Sequence, residues 1–343
     1  MDPLVSVLIP NYNYSKYLNE CISSVLNQTY KNLDIVILDN DSSDDSVKLC
    51  KKFDDPRLRV CINQYNIISL SYNLLADMLY DVRSEYAVLL CSDDSFEPDF
   101  IQKAVEILES DKNISYVHGD RWWISPEGEK KELDPFFNCS FTVSGRNMMP
   151  LYLVTAIAHP SQGVFRLSAF RKMGGFDQEF TLMHADRTLW YYLSYFGDYG
   201  YIRGHMVNIR ISGNQSQTSE TLRNLQYLTF YYMGLTDFIH FAEAHNLQNV
   251  LARKQECMER ISRDYTMYAA NFILEKDFAT AKRYYDFSKI INPAIVKDDM
   301  YMRLYDMMKT GIVDEEYVKK ANPIVYGKKR SYNPPEGFKI WEC

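Results

Sequence analysis

Apolar residues along the first hundred positions follow two spacings in turn. Short runs rich in β-formers, LVSVLIP (4–10), LDIVILDN (33–40), LRVCIN (58–63) and YAVLLCS (86–92), carry the near-continuous hydrophobicity of buried strands. Between them the spacing widens to that of a helix. SKYLNECISSVLNQTY (15–30) sets Leu18, Cys21, Ile22, Val25 and Leu26 on one face, and SSDDS supplies caps before SVKLCKKF (46–53). SYNLLADMLY (71–80) and DFIQKAVEILES (99–110) complete the series. Four strand-helix units in succession predict an α/β fold, a mostly parallel sheet flanked by helices.

From about residue 115 the alternation is less regular. SYVHGDRWWIS (115–125) reads as a further strand, EGEKKELDP (127–135) as a polar loop and RKMGGFDQEF (171–180) as a glycine-containing turn. HADRTLWYYLSYFG (184–197) reads as a helix beginning near Asp186, and NIRISGNQSQTS (208–219) as a polar loop. Residues 221 to about 318 are periodic and helical. Within them YAANFILEKDFATAKRYYDFSKIINP (268–293) resembles one tetratricopeptide unit, with small residues at Ala269 and Ala281 and a turn at Lys276-Asp277. The expected organisation is a domain over 1–219, halved at 115/116, a helical extension over 220–320, and a Pro/Gly-rich tail or linker over 321–343.

In an open parallel sheet, ligands bind beyond the carboxyl ends of the strands, where strand order reverses. Three polar clusters fall there: Pro10-Asn11-Tyr12-Asn13, Asp39-Asn40-Asp41 and Ser92-Asp93-Asp94. Helix capping near Pro98 accounts for Asp93 and Asp94 taken alone, and a turn accounts for Asp39. Three clusters on one edge point instead to a ligand. Two carboxylates beside a diphosphate repel it unless a divalent cation lies between, and Mn2+ or Mg2+ suits carboxylate and phosphate oxygens.

The net charge of -7 provides no basic field for nucleic acid. No apolar run reaches the length of a membrane span, so a cytoplasmic protein is expected, with any membrane contact peripheral. The seven cysteines form no CxxC pair and read as reduced, small apolar residues. Neither GxxxxGK[ST] nor GxGxxG occurs, which argues against the common backbone cradles for phosphate.

The run VSVLIPNYNYSKYLNECISSVLNQTYKNLDIVILDNDSSDDS, followed by SDDSFEPDF, GGFDQ and HADRTLW, resembles the family 2 glycosyltransferases of the GT-A, Rossmann-type fold over roughly residues 4 to 215. The resemblance implies transfer of a sugar from a nucleotide-sugar donor, a UDP-sugar first, with inversion. It implies donor contacts from Pro10, Asn11, Tyr12, Asn13, Asp39 and Asp93, with Asn73 grouped with them. Asp94 becomes the main metal ligand with Asp93 beside it, and Asp186 the general base, with helix capping as a competing role. Cys91 stands where many members carry an acid, and Ala185 where many carry Glu. His159, His184 and His205 are further candidates for acceptor contacts or for a segment closing over the diphosphate.

The acceptor implied is a glycan or lipid-linked glycan in bacterial surface polysaccharide synthesis, such as capsule or O-antigen, at the inner face of the plasma membrane. The helical carboxyl-terminal region leaves room for an oligomer contact or a further domain. Two other readings compete: a sugar nucleotidyltransferase, which wants a basic glycine-rich loop where PNYNYSKY stands, and a non-catalytic nucleotide- or glycan-binding module.

Overall fold

A computed structural model describes residues 2–66, 79, 81–155, 157–174, 185–211, 223–321 and 332–342. Asn73 and His184 lie outside the described residues, as do most of the helix expected over 71–80, most of the turn expected over 171–180 and the Asp186 side chain. The chain forms two compact units: residues 1–152, 156–213 and 329–343, and residues 153–155 and 214–328.

The first unit is built on one 11-stranded sheet. Its strands are β1 (Val5–Asn11), β2 (Leu33–Asp39), β3 (Leu58–Ile62), β4 (Tyr86–Leu89), β5 (Ser95–Phe96), β6 (Ile114–Ile124), β7 (Lys130–Lys131), β8 (Phe141–Val143), β9 (Gly163–Arg166), β10 (Asp198–Arg210) and β11 (Lys339–Ile340). The order is β11-β8-β10-β6-β9-β4-β1-β2-β3, with β5 on β10 and β7 on β6. The run β4-β1-β2-β3 is parallel throughout, as the strand-helix alternation predicts. Helices α1 (Ser15–Leu26) and α3 (Phe100–Ser110), with the short α2 (Ser46–Cys50) between them in sequence, contribute Leu18, Cys21, Ile22, Val25, Ile101 and Leu108 to one apolar core with β1, β2 and β4. Burial of such side chains stabilises the layer by roughly 1.5–3 kcal/mol each.

The other half is mixed. β6 and β10 run parallel, but β9 is inserted antiparallel between β4 and β6. A Cβ on Gly163, at the start of β9, would lie 2.5 Å from Trp190 and 2.6 Å from the His118 ring, so this approach requires glycine. The start of the polar loop expected over 208–219 is instead strand: Asn208, Ile209 and Arg210 end β10 as buried residues, and residues 212–219 lie outside the described residues. Arg210 looks solvent-facing in the sequence but is saturated by partners brought from elsewhere in the fold.

The sequence left open whether the tail is ordered. Residues 332–342 fold back onto the first unit: β11 pairs with β8, Tyr332 stacks on Phe136 at 5.0 Å, and the Trp341 N–H donates to the Ser140 carbonyl at 2.9 Å.

In the second unit, Lys254–Leu274 and Phe278–Ile291 form an antiparallel hairpin. Lys276 takes φ +61° at the turn, Asp277 caps the second helix through the Thr280 N–H, and Ala269 and Ala281 are fully buried. Tyr284 packs against Tyr268 and Phe272, so small and aromatic residues alternate in the seam. Among the described residues no helix is long and apolar enough to cross a membrane.

Candidate active site

Register brings the first two polar clusters together. Asn11 and Asp39 are paired residues at the carboxyl ends of β1 and β2, and both are buried. Asn11 Nδ2 donates to Asp39 Oδ2 at 2.7 Å, and the Ser42 hydroxyl donates to the same oxygen at 2.7 Å. Asp39 Oδ1 accepts the Ser42 N–H at 2.9 Å, so the turn reading of Asp39 holds, within a network that also fixes Asn11. Asn13 and Asp41 adopt φ +57° and +63°, a left-handed backbone that short polar side chains tolerate. Asn13 Oδ1 accepts the Ser43 N–H at 2.8 Å, which ties the two loops. Tyr12 is exposed and Pro10 half-buried beside them. An amide ladder unmarked in the sequence extends the cluster: Asn63 donates to Asn40, and Asn40 to Asn66, each at 2.9 Å.

The third cluster sits in the turn between β4 and β5. Helix α3 begins at Phe100 with Asp99 at its cap position, so Asp93 and Asp94 do not cap it. Asp94 is 2% exposed, and its Oδ1 accepts the Arg210 backbone N–H at 3.0 Å while Oδ2 accepts the Ser161 hydroxyl at 2.6 Å. Burial, and then the neighbouring Asp93 charge, hold its carboxyl well above the usual carboxylate range. A bound cation would act in the opposite direction, favouring the carboxylate.

Arg210 braces this turn. Its guanidinium donates to the Asp93 carbonyl at 3.0 Å, the Ser125 carbonyl at 2.7 Å and Glu20 of α1 at 2.6 Å, and lies 4.4 Å from the Tyr17 ring centroid.

His159 reaches Asp94 through the sequence HPSQG. Pro160 starts a short 3-10 turn, and Gln162 Oε1 accepts the His159 N–H at 2.9 Å. The turn leads into β9, whose antiparallel course puts its beginning at the carboxyl edge of β4. His159 Nδ1 lies 3.4 Å from Asp94 Oδ2, and the Cys91 N–H donates to the Ser161 hydroxyl at 3.1 Å. Burial, with the Arg121 charge adding to it, pushes His159 down to about 3, so the ring is neutral near pH 7. Donor atoms of Cys91, Asp94 and His159 all lie within 4.8 Å of one another, a set that fits a divalent cation.

The predicted residues therefore distribute unevenly. Asn11, Asn13 and Asp39 form one connected network; Asp94 and His159 form another, which Cys91 joins. Asp93 is half-buried and lies outside the three-donor group. His205 is in β10 rather than in a loop, where it stacks on Trp122 at 4.0 Å and bonds the Leu133 carbonyl. Trp123 packs on the core. Asp186 falls in the first turn of the helix Ala185–Phe196, and its side chain is outside the described residues. Ser161, Gln162, Arg210 and Glu20 carried no signal, since each is an ordinary surface residue type until the fold buries or pairs it.

The family model "Glycosyl transferase family 2" matches residues 6–174. An uncharacterized glycosyltransferase of Haemophilus influenzae is 34% identical over 115 residues, 33% of this chain and 35% of that protein. Chondroitin synthase of Escherichia coli is 33% identical over 128 residues, 37% of this chain and 18% of that protein. The aligned regions thus span well under two thirds of these relatives. Among solved structures, S. aureus TarS 1-349 in complex with UDP superposes with a TM-score of 0.57 at 17% identity, covering 91% of this chain and 94% of that one. The same TarS fragment in complex with UDP-GlcNAc gives 0.54 at 16% identity, covering 91% and 95%. At such identity the likeness concerns the fold, and it agrees with the sheet and strand-end clusters described above. Residues 6–174, just under half of the chain, thus match the family 2 glycosyltransferases in sequence, and the fold is that of the TarS fragment.

Proposed function

We propose that the protein moves a sugar from a nucleotide-sugar donor, a UDP-sugar, to a hydroxyl of a glycan or lipid-linked acceptor, with inversion and with a divalent cation. The observation that carries this reading is the meeting of Asp94, Cys91 and His159 on the sheet edge that also holds the Asn11-Asp39 network. The UDP and UDP-GlcNAc complexes of the TarS fragment support a uridine donor, and the chondroitin synthase likeness supports a polysaccharide product. Bacterial surface polysaccharide synthesis at the inner membrane face, in a capsule or O-antigen setting, is the biological context we infer.

In this reading Pro10, Asn11, Tyr12, Asn13, Asp39 and Asp93 hold the nucleotide, with Asn73 in the same group. Asp94 is the main metal ligand. Mn2+ or Mg2+ bound there supplies charge neutralisation for the departing diphosphate. Asp186, at the start of its helix, takes the proton of the acceptor hydroxyl as that oxygen attacks the anomeric carbon. Inversion needs only this one in-line displacement, so one base suffices.

Calorimetry with UDP and Mn2+ tests the assignment. Asp94→Asn is expected to lose most of the metal-dependent UDP affinity while its thermal unfolding stays cooperative. Unchanged affinity in the variant would remove Asp94 as the metal ligand.

A further inference from the structure

The three groups that converge at the end of β4 are all lone-pair donors. Asp94 Oδ2 already accepts the Ser161 hydroxyl. The Ser161 N–H lies 3.4 Å from His159 Nδ1, a long contact that a metal bond to the same lone pair would replace. These two acceptors nevertheless stand 3.4 Å apart, with Cys91 Sγ within 4.8 Å of both. Converging acceptors of this kind repel unless a proton or a cation lies among them. Metal bonds of about 2.1 Å at tetrahedral angles separate two ligands by about 3.4 Å, which matches the Asp94-His159 spacing.

The donors are also held in place by the surrounding fold, as ligand sets of built metal sites are. The Arg210 N–H and Ser161 hydroxyl orient the two carboxylate oxygens. The Gln162 side chain grips the His159 backbone, and its own amide is tied to the Gly119 carbonyl at 2.7 Å. The Cys91 backbone is anchored through Ser161.

We propose that Cys91 Sγ, Asp94 and His159 Nδ1 form a mixed sulfur, oxygen and nitrogen site that takes a borderline transition metal, such as Co2+ or Zn2+, in preference to Mg2+. The inference rests on the proposed donor site, since Asp94 is the metal ligand assigned there. Magnesium favours an all-oxygen shell, whereas thiolate and imidazole favour softer ions. Binding releases the thiol proton to solvent as the sulfur becomes a thiolate ligand.

Cobalt titration of the purified full-length chain, followed by absorption without nucleotide, provides the test. The wild type is expected to develop a sulfur-to-cobalt charge-transfer band in the near ultraviolet, with visible bands of a four-coordinate ion. Cys91→Ser should lose the ultraviolet band, and His159→Ala should weaken cobalt binding about 10-fold or more, the scale on which even outer-shell losses act. Circular dichroism of each variant establishes that it is folded. A double variant, Cys61→Ser with Cys139→Ser, should retain the band. Absence of the band in the wild type, or its survival in Cys91→Ser, overturns the proposal. Calorimetry with UDP and Mg2+ separates the two readings: UDP binding without a thiolate band leaves the donor site standing and this inference refuted. A thiolate band without UDP binding does the reverse.

Discussion

Replacing Arg210 by methionine keeps most of the stem and removes the cation that braces the Asp93-Asp94 turn. The Arg210 side chain is 2% exposed, and its loss removes the guanidinium bonds to the part-buried carbonyls of Asp93 and Ser125, the latter keeping the Gly128 N–H at 2.9 Å. Each lost hydrogen bond from the charged guanidinium costs about 1.5–3 kcal/mol. The cation over Tyr17 contributes about 0.5–2 kcal/mol more. Glu20 adds little, because its side chain is 53% exposed and rehydrates. Relief of the cation's own desolvation offsets part of the loss, which leaves about 3–5 kcal/mol, the range for breaking a buried pair. With a urea slope of about 3 kcal/mol/M, the unfolding midpoint should drop by about 1 M or more. Trp122, Trp123, Trp190 and Trp341 all belong to the first unit, so tryptophan fluorescence follows the unit that contains the change. Metal-dependent UDP affinity should fall about 10-fold as the turn relaxes, the scale expected for a group that orients a ligand. Arg210→Lys, which keeps a charge but not the fork, should fall between. A midpoint within about 0.2 M of wild type, with unchanged UDP affinity, would refute the bracing argument.

Two further outcomes are expected. Asp186→Asn should bind UDP as wild type does while transfer to acceptor drops about 10²–10⁴-fold, measured by product formation at saturating donor; near-normal turnover would remove Asp186 as the base. His118 is 1% exposed, packs among Tyr116, Trp190 and Tyr199, and among the described residues has no hydrogen-bond partner on either ring nitrogen; burial pushes it down to about 3 from 6.5. The unfolded chain therefore takes up this proton first as pH falls below 6.5, and stability is lost between 6.5 and 3. Acidification to pH 5 should cost up to about 2 kcal/mol through this residue, which His118→Phe should abolish; equal acid sensitivity of both proteins in urea unfolding would exclude it.

Periodicity made the parallel half of the sheet legible. Runs such as LVSVLIP and LDIVILDN are apolar because both faces of β1 and β2 are covered, and α1 shows its buried face at Leu18, Cys21, Ile22 and Val25. The antiparallel half was less readable. β9 is four residues long and has neighbours far away in sequence, and β10 carries Arg203, His205 and Arg210, which break the apolar pattern of a central strand. Arg210 belongs inside because Glu20, Asp93 and Ser125 converge on it from three other segments.

The candidate site divides along the same line. Local chemistry in the sequence located Asn11, Asn13, Asp39 and Asp94 at strand ends, since polar residues closing apolar runs face the carboxyl edge of a parallel sheet whatever the remaining fold is. Tertiary structure alone brought His159 and Ser161 to Asp94. They stand more than sixty residues from it in the chain and meet it because β9 enters the sheet antiparallel to β4, so that its beginning lies where β4 ends. Cys91 looked like the loss of an acid in the motif. Only with His159 3.4 Å from Asp94 does it become one donor of three. A strand's own residues specify its edge, but the partner that completes a site there depends on the direction in which a distant strand runs.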